Sequence, residues 1–521
     1  LFVSVQNVVS KNPAPPTTQQ AMSSSELPIV IVGAGISGLL TAQELKKAGL
    51  KVVVLEAAPV AGGRLLPSHA LPKLKEKGFY TGTFKGDFDL QKEDPIDLGG
   101  ELIHGDGTEL FKFAATNDWK VRHVITWAQG DGEAHPVGRG ESFYWLGAQK
   151  RLISSLDVPL EHIKQINHLV GSLYTLQSNP NDGNTTIHDY LVSMGIPEGG
   201  EAMKLIDAGY ANTYCSTLRT IKLRDTINCE KGFANDGEGE FRMGEPGHCL
   251  SSRVFTTLLD GVDVRYNTWV AQINYPPGNN AVQIVTRDGE TILASRVVLT
   301  VSPPLMQQLY FFPPLPLPKR VAIDSIKIEN AMKVILFFNH RFWPETYQGI
   351  VCADSVVPEI WFDGNHYHPG ILMDAKTKTP ITESEQVPQQ RKISRAVGFC
   401  CSQFANYLRS LPEEEAANKF KAQLNDIFGT PEEPEPATKY LAGYAIFCWG
   451  DMPNIRGGYT SPTVTEETRL ELSLPVDDKL FFAGEATSFP TFTAAHCAME
   501  TAYRASREII QSVASKQKAR L

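Results

Sequence analysis

Several absences narrow what this 521-residue chain does. It has no long run of lysine and arginine, and its net charge is −9. Sequence-independent nucleic-acid binding needs phosphate neutralisation, so no nucleic-acid partner is expected. No apolar stretch approaches the ~20 residues of a membrane-spanning helix, so no membrane span is expected. There is no Cys-x-x-Cys, and no metal-ligand set is assigned. The eight cysteines are scattered, only Cys400 and Cys401 being adjacent, which reads as a reduced intracellular protein. Internal repeats are missing. Residues 1–27 lack a secretory signal's charged start and long apolar region. They read as a disordered leader, with Met22 an alternative start, or as a degenerate targeting peptide.

What is present begins at Ile29. Ile-Val-Ile-Val is a short continuous apolar run, the mark of a buried parallel strand. It is followed by GAGISG and a helical pattern with Ile36, Leu39, Leu40 and Leu45 apolar, stopped by Gly49. A second strand, Val52–Leu55, ends at Glu56. Gly33, Gly35 and Gly38 thus form G-x-G-x-x-G between strand and helix. The first glycine permits a tight turn, the second lets backbone approach a pyrophosphate, and the third allows close helix–strand packing. Glu56 is placed to accept hydrogen bonds from a ribose diol. Dinucleotide binding follows.

A second glycine turn, Gly62-Gly63, precedes Arg64, whose guanidinium suits phosphate oxygens. Residues 276–300 alternate like a hairpin and a returning strand, and residues 311–318 read as a proline-rich connector. KVILFF, with Lys333 at its head, RAVGFCC and YLAGYAIF read as antiparallel strands, and PEEEAANKF as a solvated helix face. The overall pattern is two interleaved domains.

Taken together, IVIVGAGISGL, LEAAPVAGGR, DLGGELIHG, VVLTVSPP, AMKVILFFNHRFW, the WGDMP…GGY region and FFAGEATS resemble the flavin-containing amine oxidases. The resemblance runs from about residue 29 to 510. It implies an α/β protein in which a Rossmann-type FAD-binding domain is interleaved with an α+β substrate-binding domain containing a mixed or antiparallel sheet. By motif position the FAD-binding domain takes residues 28–105, 246–310 and 450–521. The substrate-binding domain takes 106–245 and 311–449.

The same resemblance implies site residues. Gly33, Gly35, Gly38, Glu56, Gly63 and Arg64 hold the ADP half of FAD, and Val270 meets adenine through its backbone. Gly484 and Glu485 hold the pyrophosphate and ribityl chain, with Glu101 and Ala495 also at the cofactor. Lys333 faces flavin N5 through a water, His104 faces substrate, and Tyr459 forms an aromatic wall. His496 and Trp449 read as structural. Three departures stand out. Residues 65–96 form a longer segment than usual, read as a surface insertion. Gly458 occupies the position of a flavin-linking cysteine, so FAD is expected to be non-covalent. Ala494 stands where a second aromatic wall is common, with Phe492 the candidate replacement.

The implied activity is oxidation of an amine (a polyamine or another primary or secondary amine) by hydride transfer to flavin N5. Oxygen is reduced to hydrogen peroxide and the imine is hydrolysed. The alternatives are an L-amino-acid oxidase, another flavoprotein oxidase or desaturase of this architecture, or an inactive flavin-bound scaffold. The terminal Ala-Arg-Leu reads as a peroxisomal address, with cytoplasm otherwise. The amine and the oligomeric state are not legible in the residues.

Overall fold

The computed structural model describes residues 27–518, except 81, 83, 87, 90–94, 125–140, 155–171, 174–175, 178–182, 345–346, 364–370 and 382–392. The leader up to residue 26 and the terminal Ala-Arg-Leu lie outside the described residues.

Ile29–Val32 is buried along its whole length, which is why all four residues are β-branched and apolar. It pairs in parallel with Val52–Leu55 on one side and Arg296–Leu299 on the other. Leu480–Phe482 and Val264–Arg265 complete a five-stranded parallel sheet. The helix Ile36–Lys47 ends with Lys46 and Lys47 in its last turn, and Gly49 follows at φ 77°. This helix packs against the sheet and against the 24-residue final helix, Ala495–Lys518.

The hairpin read from residues 276–300 is Val282–Thr286 paired antiparallel with Thr291–Ala294, after which Arg296–Leu299 returns to the parallel sheet. The proline-rich connector is more structured than its composition indicates. Tyr310–Phe312 extends the hairpin sheet beside Val270–Asn274, and Leu317–Ser325 is helical.

Among the described residues the largest sheet has eight strands and is mixed. At its centre Ala331–Phe338 runs antiparallel to both Ser394–Cys401 and Leu441–Cys448. Tyr347–Ala353 and Glu141–Leu146 pair in parallel nearer its other edge. The central strand begins at Ala331, so Lys333 lies within it rather than at its head. The acidic helix spans Glu413–Phe428. Its glutamates occupy the first turn, where they complement the helix dipole, while Ala416, Ala417, Phe420 and Leu424 pack into the sheet's core.

The segment 65–96 is corrected from surface insertion to partial core. Leu66, Leu71, Leu74 and Tyr80 are buried with Phe337 and Phe447, and Phe84–Gly86 covers the sheet edge at Leu441–Cys448. Its apolar residues find the unfilled face of a neighbouring sheet. All eight cysteines are free thiols. Among the described residues no helix is long and apolar enough to cross a membrane.

Candidate active site

The carboxyl ends of the parallel strands and one face of the mixed sheet enclose a cavity of about 1610 Å³. Every residue singled out above for cofactor or substrate lines it except Gly38 and the candidate wall residue Phe492. Gly38 acts underneath: a Cβ there would lie 2.0 Å from the Gly33 carbonyl oxygen, so only glycine lets the helix sit this close to the strand. Gly33 adopts φ 109°, and Gly63 packs with its Cα against Gly35. The N-terminus of Ile36–Lys47 carries no side-chain cap, leaving its amides toward the cavity as an anion seat.

Glu56 is buried at the end of its strand. Its carboxylate accepts from the amides of Ala34 (2.7 Å) and Ala58 (2.8 Å), with Asn454 at 3.4 Å. Burial raises its pKa despite these bonds. Arg64 Nη1 donates to the Gly458 carbonyl (2.9 Å) and to Glu485 Oε2 (3.0 Å). Burial works against ionisation of Glu485, but Arg64 and the buried Arg469 outweigh it and lower its pKa. Gly484, at φ 107°, turns the chain into this carboxylate. A cradle of glycines, a bare helix N-terminus and an acidic residue after the second strand fit the ADP half of FAD.

The opposite end of the cavity is built around Lys333. Its Nζ donates to the carbonyls of Asp97 and Gly99 (both 2.9 Å) and to Glu101 Oε2 (3.0 Å). Glu101 is gripped from its other side by Arg242 Nη2 at 2.7 Å. Burial opposes the Glu101 charge, yet Lys333 and Arg242 bring its pKa down to about 2. Arg242 is itself buried, with its guanidinium 5.3 Å from the Trp361 ring.

His104 pairs across the strands with Glu240, Nδ1 lying 2.8 Å from Oε2. Burial alone lowers its pKa, but Glu240 and Asp236 reverse the sign and raise it. Tyr459 donates to the Thr213 carbonyl at 2.6 Å and presents its ring to the cavity. Ala494 also lines the cavity. Phe492 does not: it is buried under the Arg469 guanidinium, 3.7 Å away, so it is no substitute for a second aromatic wall. Trp449 is buried, as read, and also meets the cavity.

Sequence reasoning missed Arg242, Arg469 and Glu359. Glu359 accepts from Trp361 Nε1 (2.6 Å) and Asn212 Nδ2 (3.3 Å), and burial pushes its pKa up to about 7. The signal was available: EIWF sets a carboxylate at the head of an apolar strand.

Comparison with known proteins follows the same lines. Residues 36–510 match the flavin containing amine oxidoreductase family. A probable polyamine oxidase 4 of Arabidopsis thaliana is 24% identical over 94% of this chain and 88% of its own length. Lysine-specific histone demethylase 2 of Homo sapiens is 25% identical over 90% of this chain, which spans only 52% of that protein. Among solved structures, a putrescine oxidase bound to putrescine superposes with a TM-score of 0.69 at 19% identity, covering 93% of this chain and 99% of the other. Cyclohexylamine oxidase from Brevibacterium oxydans gives 0.69 at 16% identity, covering 94% and 99%. With motifs, cavity and a family match over most of its length in agreement, the chain belongs to the flavin-containing amine oxidoreductases and takes FAD as its cofactor.

Proposed function

We propose that this enzyme oxidises cationic amines of the diamine or polyamine class. The observation that carries the reading is the charge of the cavity wall. Glu230, Asp236, Glu238, Glu240 and Glu359 all line it. The wall's Arg64 and Lys333 each already face a carboxylate, Glu485 and Glu101. A polyamine needs acidic groups along its path, whereas an amino acid needs a cation for its carboxylate. The balance supports the first substrate and disfavours the L-amino-acid oxidase alternative.

FAD, when bound, accepts the hydride from the carbon beside the amine and passes the electrons to oxygen, giving hydrogen peroxide. The protein's own part is to orient and to hold protons. Lys333, fixed by its three acceptors, brings a positive charge to the cavity beside Glu101. Tyr459, tethered at Thr213, walls the space where the amine carbon lies. Glu359, with a pKa of about 7, takes the ammonium proton that must leave before hydride transfer.

Anaerobic flavin-reduction kinetics across polyamines, aryl-alkylamines and amino acids test the reading. Polyamines should reduce the flavin with the highest second-order rate constant. Faster reduction by amino acids would overturn it, and no reduction by any amine would return the chain to a flavin-bound scaffold.

A further inference from the structure

Beside the amine cavity, three side chains that the proposed reaction does not use as a unit converge. His496 and Glu500 lie four residues apart on the final helix and so share one face. Asp236 meets them from the loop after the helix Leu223–Phe233. One donor atom from each of the three lies within 4.8 Å of the other two. The loop holds Asp236 firmly: its amide donates to the Phe233 carbonyl (2.9 Å) and its carbonyl accepts from Gly107 (2.8 Å).

The hydrogen bonding of this cluster is incomplete. The His496 side chain is 1% exposed, and Nε2 lies 3.0 Å from Asp236 Oδ2. Yet neither ring nitrogen, nor that carboxylate oxygen, makes an aligned hydrogen bond among the described residues. Buried polar atoms are normally satisfied, so atoms this close and this poorly aligned point at a shared third partner. The charges agree. Asp236 and Glu109 both act on Glu500 from neighbouring elements, and the facing cation, Lys112, is bonded to Glu109 at 2.8 Å.

We propose that Asp236, His496 and Glu500 form a binding site for a divalent cation of the zinc class. One imidazole and two carboxylates are a three-protein-ligand set of the kind zinc accepts, with a further position left for water. An all-oxygen set would suit magnesium or calcium; the imidazole tilts the choice toward zinc. Tetrahedral bonds of ~2.1 Å separate donor atoms by about 3.4 Å, so small side-chain adjustments close the site.

The test uses the FAD-loaded protein, treated with EDTA, desalted and titrated with Zn²⁺ by calorimetry, with retained zinc counted by elemental analysis. One zinc per chain is expected. Glu500→Gln and Asp236→Asn should each weaken binding at least tenfold, and Glu500→His, which keeps a ligand, should bind within a few fold of the parent. Flavin content identifies any variant that has not folded, and Glu500 is the partly exposed ligand whose replacement disturbs packing least. Absence of retained zinc in the parent overturns the proposal, as does parent-like affinity in Glu500→Gln.

Discussion

Lys333 Nζ lies 3.0 Å from the carboxylate of Glu101, and Arg242 holds the same carboxylate from its other side at 2.7 Å. Two buried cations thus share one anion at the wall of the amine cavity. Removing Glu101 would leave both cations uncompensated, whereas removing either cation leaves the other paired with it, so function and electrostatics are coupled here.

Because Arg242 still holds Glu101, Lys333→Met is expected to retain the fold and FAD but slow flavin reduction, reoxidation or both by at least about tenfold, through loss of the positioned charge that Lys333 brings to the cavity. Stopped-flow traces of the two half-reactions measure each separately. Parent-like rates in both would reduce Lys333 to a structural partner of Glu101.

Glu56 is the acceptor for two backbone amides and faces the cavity at the end of its strand. Glu56→Ala should weaken FAD retention by roughly 1.5–3 kcal/mol, the worth of hydrogen bonds to a charged group. Equilibrium dialysis of FAD compares parent and variant. Equal affinity removes the ribose-binding role.

Gly458 leaves no room for a side chain. A Cβ there would lie 2.7 Å from Ala331 Cβ and 3.0 Å from Cys215 Sγ. Acid precipitation should accordingly leave yellow flavin in the supernatant. Flavin comigrating with the denatured chain would mean that another residue makes a covalent link.

Glu359 supplies a pH signature. Its folded pKa, about 7 against an ordinary 4.5, is raised by burial, so the folded state binds the proton more tightly than the unfolded chain. That contribution to stability is full below pH 4.5 and is lost as pH rises through about 7. The shift corresponds to a few kcal/mol at most, on the order of 3. In Glu359→Gln the fall in Tm between pH 5 and 7 should flatten, the range between the two pKa values. An unchanged profile would assign the pH dependence elsewhere. Glu101 has the opposite sign: its pKa of about 2 makes its contribution fail only as pH drops below 4.5.

The nucleotide half of the site was legible because its chemistry is local. Gly33, Gly35, Gly38 and Glu56 belong to one β-α-β unit, where glycine spacing and strand ends dictate backbone conformation directly. Gly458 and Ala494 were likewise readable as departures from a motif. Tertiary structure alone decided the electrostatics of the amine end. Lys333 meets a carboxylate 232 residues away, and Arg242 reaches the same group across 141 residues. It also set Phe492 beneath Arg469 instead of in the cavity, and folded the apolar part of residues 65–96 into a core. Periodicity says which face of a strand is buried. Which charge waits on that face depends on how distant strands align, and burial makes that alignment decisive because an unpaired charge there is costly.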